Sequence, residues 1–175
     1  MKNLIGLIIL SFALILSACG NSEPKNTALA EEVKERVHHY SITDVEEGIN
    51  ASIDSKVMSV TDSKGKVIES LNLPEDEFFV SIAPFKTMTH PCEIHSLSGC
   101  QGELIEEELH VTVVDQKGNT IIDENMTTMK NGFLDLWLPR NQEFSVKITD
   151  GDLETEEVVS TYDDSRTCIT TMQFK

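Results

Sequence analysis

Residues 89 to 100 read Thr-His-Pro-Cys-Glu-Ile-His-Ser-Leu-Ser-Gly-Cys, which places His90, Cys92, His95 and Cys100 in one short stretch of a chain holding four cysteines and five histidines in all. Thiolate sulfur and imidazole nitrogen are soft to borderline donors that suit copper and zinc, whereas carboxylates add little to a soft site. Three chemistries are open to such a stretch: a disulfide loop, a structural zinc knot, or capture of a soft metal ion. A closed zinc site wants four tetrahedral ligands, and the Cys-x2-His-x4-Cys spacing matches none of the common zinc patterns, so zinc stands as the alternative to copper. A reduced thiol pair can also pass electrons to Cu(II) and close as a disulfide. A histidine beside a thiol favours the thiolate, the form that ligates and attacks.

Cysteine counting brings a distant residue into the problem. Lys2 precedes an apolar run from Leu4 to Leu16, too short to span a bilayer comfortably, so residues 1–18 read as a signal peptide. The run ends Leu16-Ser17-Ala18-Cys19, which resembles the lipobox of bacterial lipoproteins. Cys19 is then the lipidated residue, and the chain is expected outside the cytoplasm, anchored to the cell membrane by its acyl chains. Three cysteines remain, Cys92, Cys100 and Cys168. An odd number cannot all pair within one chain, and outside the cytosol thiols tend to oxidise. Either one disulfide staple leaves an idle thiol, or Cys168 joins the loop cysteines in a three-thiol site. Met88 and Met172 are candidates for a supporting shell, Met172 because it follows Cys168 by four residues on the same face of an expected strand; methionine is otherwise a core filler. His38, His39 and His110 read as surface residues.

The charge balance excludes other classes. With 14 Lys and Arg against 30 Asp and Glu, the net charge is -16. Such a surface repels phosphate backbones and anionic head groups, which argues against nucleic acid as a partner. There is no Gly-x-Ser-x-Gly, no His-Glu-x-x-His and no glycine-rich phosphate loop, so hydrolytic chemistry has no support. Thiol-dependent metal reduction is the one reaction for which the residues exist, and the chain is expected to be a binding protein first.

The elements that must position these donors follow from patterning. Residues 19–27 read as a polar tether. Leu29, Val33 and Val37 are spaced for an amphipathic helix, and Thr43-Asp44-Val45-Glu46 has capping-box spacing that predicts a second short helix from Asp44 to Gly48. Residues 28–55 form a helical N-terminal region in this reading. From residue 56 onward short alternating runs are divided by turn signals, as at Asp62-Ser63-Lys64-Gly65, Gln116-Lys117-Gly118-Asn119, Asn131-Gly132 and Asp150-Gly151. That spacing predicts a mainly β protein with an antiparallel β-sandwich, and the run from Val111 to Ile148 is similar to prealbumin-like modules. Residues 56–175 are thus a β-rich metal-binding domain, α+β overall with the helical part included. The one long stretch without strand alternation is residues 84 to 105, and long loops in compact domains tend to carry function.

Several stretches together resemble the CueP family of extracytoplasmic copper-binding proteins: Phe78-Phe79-Val80-Ser81-Ile82-Ala83-Pro84-Phe85, Thr89-His90-Pro91-Cys92, His95-Ser96-Leu97, Cys100-x-Gly102-Glu103-Leu104, Asn131-Gly132-Phe133, Leu136-Trp137-Leu138-Pro139-Arg140 and Thr167-Cys168-Ile169-Thr170-Thr171. The resemblance covers about residues 55 to 175. It implies copper bound at the cysteine and histidine cluster, a role in copper tolerance, hand-on of copper to exported copper enzymes, a homodimer formed through the N-terminal part, and reduction of metal ions by the cysteines. Cys92, Cys100 and Cys168 would be soft ligands or redox thiols, with His90 and His95 as auxiliary ligands or pKa tuners. The expectation is a membrane-tethered protein that sequesters or hands on copper, with Cu(I) favoured. The rival expectations are a thiol-disulfide redox protein and an interaction lipoprotein whose cysteines are only staples.

Overall fold

The computed structural model describes residues 23–43 and 45–175, with side chains from Leu29 onward. The expected signal peptide and the lipidated Cys19 lie outside the described residues. Among the described residues no helix is long and apolar enough to cross a membrane. In chain order the elements are α1 (Glu23–Ile42), β1 (Asn50–Ile53), β2 (Val57–Thr61), β3 (Val67–Asn72), β4 (Glu77–Ile82), β5 (His95–Ser96), β6 (Glu108–Asp115), β7 (Thr120–Thr127), β8 (Leu134–Pro139), β9 (Glu143–Asp150), β10 (Leu153–Ser160) and β11 (Cys168–Ile169). The protein is mainly β, with one helix among the described residues.

Helix α1 begins inside the stretch read as tether. It buries Val33, Val37 and Ser41, a stripe at i, i+4 and i+8 that lies on one face of a helix. Its outward positions are charged, and Leu29 stays 53% exposed. No second helix follows. Asp44 is not among the described residues, and residues 45–49 turn, with the Ile49 amide bonded to the Glu46 carbonyl at 3.0 Å. Gly48 takes a φ of 86° there, which a glycine reaches without the Cβ penalty, and the chain enters β1 directly.

Three sheets result, ordered β3-β2-β1-β5, β11-β4-β8 and β10-β9-β6-β7. The middle one is buried on both faces. On one side Phe78, Val80 and Ile82 of β4 with Leu134, Leu136 and Leu138 of β8 meet Leu109, Val111, Val113, Phe144, Val146 and Ile148 of the third sheet. That is the sandwich. On the other side Phe79 joins Val33, Val37, Ala51, Ile53, Met58 and Val60, with Trp137 packed against them. Each fully buried side chain of this size stabilises the fold by about 1.5–3 kcal/mol. Burial on both faces explains why β4 reads Phe-Phe-Val-Ser-Ile without polar alternation.

The pairings are antiparallel with one exception, β11 beside β4, which runs parallel and sets Cys168 opposite Ser81. The expected strand from Cys168 to Phe174 is shorter than its pattern, since β11 ends at Ile169 and only a bridge between Phe85 and Gln173 follows.

Candidate metal centre

The loop carrying the opening motif is long but pinned along its length. At its start the Phe85 amide donates to the Met172 carbonyl at 3.0 Å and Phe174 returns a bond to the Phe85 carbonyl at 2.9 Å. The Glu103 carboxylate then gathers the amides of Lys86 (2.6 Å), Thr87 (2.9 Å) and Met88 (3.3 Å) together with the Thr87 hydroxyl. Those donors, the Thr87 hydroxyl first, lower its pKa to about 2. At the loop's far end the Gly102 amide reaches the Asn131 carbonyl at 2.7 Å. Gly102 and Gly132 pack backbone on backbone there, so closely that a Cβ on Gly102 would fall 2.5 Å from the Gly132 carbonyl oxygen.

The middle of the loop is clamped to the C-terminal segment. The Thr89 hydroxyl donates to the Thr170 carbonyl at 2.7 Å. The Glu93 carbonyl accepts both the Thr167 amide (3.0 Å) and the Cys168 amide (3.2 Å). The Thr167 hydroxyl donates to the Ile53 carbonyl at 2.7 Å and accepts the His95 amide at 3.1 Å. His95 is held from its other flank as well, since β5 pairs it with Ile53. Two segments some 70 residues apart are thereby locked in register across β1.

Their side chains converge. Cys92 Sγ lies 3.5 Å from Cys100 Sγ, and His95 Nδ1 lies 3.4 Å from Cys168 Sγ. The donors of His90, Cys92 and Cys100 all fall within 4.8 Å of one another, as do those of His95, Cys100 and Cys168. Cys92, Cys100 and Cys168 are free thiols. Cys168 is buried with Ala83 and Phe133, against which Cys92, Cys100 and Met129 pack. Phe133 lies 4.6 Å, centroid to centroid, from the His95 ring and 6.4 Å from that of His90, walling the cluster with an apolar surface.

The protonation pattern within the cluster is uneven. Cys100 is driven down to about 2, chiefly by the thiol of Cys168 donating to it, with His95 and His90 adding their own hydrogen bonds. Cys168 is driven up by the same bond to Cys100 and by burial. Burial raises Cys92. The arrangement is a thiolate on Cys100 with protonated sulfurs on either side, a nucleophilic and strongly ligating centre. His95 Nε2 is buried and has no hydrogen-bond partner among the described residues. A buried nitrogen left unpaired is costly. On the ring's other side, Nδ1 and three sulfurs free of any disulfide make a donor set suited to a soft cation as cargo.

The other sequence-derived candidates lie elsewhere. Met88 is 70% exposed on the loop's outer edge. Met172 points into the sandwich core beside Ile169 and Phe174, away from Cys168, because the strand alternation that would align them stops at Ile169. His110 bonds Asn125 and Asp123 on the far sheet, at 3.0 Å each. Two contributors had no site role in the sequence reading: Phe133, which entered only with the family resemblance, and Asp135. Asp135 accepts the hydroxyls of Ser81 (2.5 Å) and Ser41 (2.9 Å) and feels the nearby His95. Its signal was present: period two puts Asp135 between Phe133 and Trp137 on one face of an otherwise apolar strand, an anomalous place for a carboxylate.

The comparisons give the family. The family model described as periplasmic copper-binding protein CueP matches residues 32–173. The fold is similar to a solved structure described as "Crystal Structure of S.CueP", with a TM-score of 0.76, 32% sequence identity, and coverage of 88% of this chain and 99% of that one. No curated protein matches the chain. A shared fold would not carry function alone, but the family model spans every donor of the cluster, so this chain belongs to the CueP family of periplasmic copper-binding proteins.

Proposed function

We propose that the chain binds copper as Cu(I) at Cys92, Cys100, Cys168, His90 and His95, to sequester it or hand it on outside the cytoplasm. The observation carrying this reading is the convergence of three free sulfurs and two imidazoles from segments that are otherwise far apart in sequence. Cu(I) is favoured over zinc because sulfur dominates the donor set and the apolar Phe133 wall keeps water from competing. Lipid attachment through Cys19 would hold this centre at the membrane surface, where copper leaving the cell and exported copper enzymes are both within reach. A homodimer through the N-terminal part is a further expectation of the family reading. The deciding experiment is Cu(I) retention by the reduced chain against a competing Cu(I) chelator, compared with the variant in which Cys92, Cys100 and Cys168 are all serine. Retention at least a hundredfold stronger in the unmodified chain is expected; equal retention would sink the reading.

The 3.5 Å approach of Cys92 and Cys100 favours a second reaction at the same centre. Two thiols that close as a disulfide release two protons and two electrons, enough to reduce two Cu(II) ions to Cu(I). Adding Cu(II) anaerobically to the reduced chain should yield Cu(I) with loss of two thiols. An unchanged thiol titration would refute the reduction while leaving Cu(I) binding intact.

A further inference from the structure

This inference rests on the copper reading and concerns how the cluster is divided. Its five donors form two sets within which every pair lies inside 4.8 Å, His90, Cys92 and Cys100 in one and His95, Cys100 and Cys168 in the other. Each set holds two sulfurs and one imidazole. A three-coordinate ion with bonds of about 2.3 Å to sulfur and 2.0 Å to nitrogen sets its donors roughly 3.7–4.0 Å apart. The separations of 3.5 Å between Cys92 and Cys100 and 3.4 Å between His95 and Cys168 lie near that spacing, and the other pairs in each set lie within 4.8 Å.

The two sets differ in access. His90 and Cys92 are half-buried, while His95 and Cys168 have 0% exposure. Cys100 is the single residue common to both, and a thiolate sulfur has lone pairs enough to bridge two ions. We propose that the centre is a pair of adjacent Cu(I) positions sharing the Cys100 sulfur, an outer one that meets incoming copper and an inner one that holds it away from solvent. Charge supports double occupancy. Three thiolates around one Cu(I) leave two negative charges in excess; a second Cu(I) leaves one.

The test is Cu(I) stoichiometry of the reduced full chain, titrated anaerobically against a colorimetric Cu(I) chelator. Two equivalents are expected for the unmodified chain and one for Cys168→Ser or Cys92→Ser. Because Cys168 is buried and its substitution tests folding as well as binding, His90→Gln is the companion, expected to keep one equivalent tight and weaken the second at least tenfold. Cys100→Ser should weaken both. Saturation of the unmodified chain at one equivalent overturns the division and leaves copper binding standing. A folded Cys92→Ser variant that retains none overturns it too, since the inner position would then not be independent. If the unmodified chain retains no more copper than the triple serine variant, the copper reading fails and the two positions fall with it.

Discussion

Ser41, in the last turn of α1, donates a 2.9 Å hydrogen bond to Asp135 of β8, 94 residues further along the chain. The same carboxylate accepts Ser81 at 2.5 Å, and Ser81 is the residue that β4 sets opposite Cys168. Helix and central sheet thus share one polar contact, beside the strand that carries Cys168. Burial raises the Asp135 pKa against the pull of His95 and the two hydroxyls. A carboxyl whose folded pKa lies above its unfolded value binds its proton more tightly in the native state, so its contribution to stability falls as pH rises through that interval.

The Asp135→Asn variant tests this. Near pH 4 it should be less stable than the unmodified chain by about 1–2 kcal/mol, the worth of a hydrogen bond to a buried acceptor. The deficit should shrink as pH rises, because asparagine carries no charge to desolvate. Denaturant unfolding at several pH values reads the difference, and a deficit that widens toward neutral pH would contradict the assigned burial.

Cys100 supplies a chemical prediction. With a pKa of about 2 it remains thiolate throughout the range in which an ordinary thiol is protonated. Alkylation of the reduced protein with iodoacetamide at pH 5, followed by mass spectrometry, should label Cys100 first, at a rate nearly the same at pH 7. Cys168, buried and protonated, should remain unlabelled, and unfolding in denaturant should abolish the selectivity. Labelling of all three at equal rates at pH 5 would show that no thiolate is preformed.

The candidate donors were legible in sequence for a simple reason. Soft residues are scarce in this chain, so their concentration between His90 and Cys100 stood out, and the odd cysteine count pointed to Cys168 without any knowledge of topology. Strand patterning likewise reported a mainly β chain. What patterning could not report was which faces meet. The apolar run of β4 does not say that Phe78 enters the sandwich while Phe79 faces the helix. The place of Met172 depended on where β11 stops, since one lost step of alternation moves a side chain from one core to the other. Asp135 breaks the apolar pattern of β8, but its meaning comes only from Ser41, which arrives from the helix. Long-range hydrogen bonds of that kind leave no local periodicity to read.

Glu103 governs the loop that carries His90. Its folded pKa of about 2 lies below the usual 4.5, so it contributes stability at pH values above the unfolded pKa, and that contribution is lost as pH falls toward 2. In Glu103→Gln the acceptor is neutral and holds the Lys86, Thr87 and Met88 amides less strongly. The variant should be less stable at pH 7, with the difference closing between about pH 4.5 and 2. Amide hydrogen exchange at residues 86–88 should be roughly tenfold faster at neutral pH, while exchange in β6 and β9 is unchanged. Unaltered exchange at these three amides would remove Glu103 as the loop's anchor.

The contact between Gly102 and Gly132 sets the position of Cys100 from the other end. A Cβ at Gly102 would meet the Gly132 carbonyl oxygen at 2.5 Å and Ala83 Cβ at 3.1 Å. The first neighbour is backbone in a turn where Gly132 itself has a φ of 78°, so it cannot rotate away, and the loop end must lift instead. Gly102→Ala should therefore cost about 1–3 kcal/mol, in the range of overpacked cores, and break the 2.7 Å bond to Asn131. Since Cys100 lies two residues upstream, the displaced backbone moves the sulfur common to both donor sets. The variant should lose Cu(I) affinity more than tenfold even at temperatures where circular dichroism shows it folded. Gly118→Ala serves as the control: that glycine, at a φ of 84°, has open space around it, and its substitution should lower stability through backbone strain with Cu(I) affinity unchanged. Equal losses of affinity in the two variants would mean that copper retention follows global stability rather than the placement of Cys100.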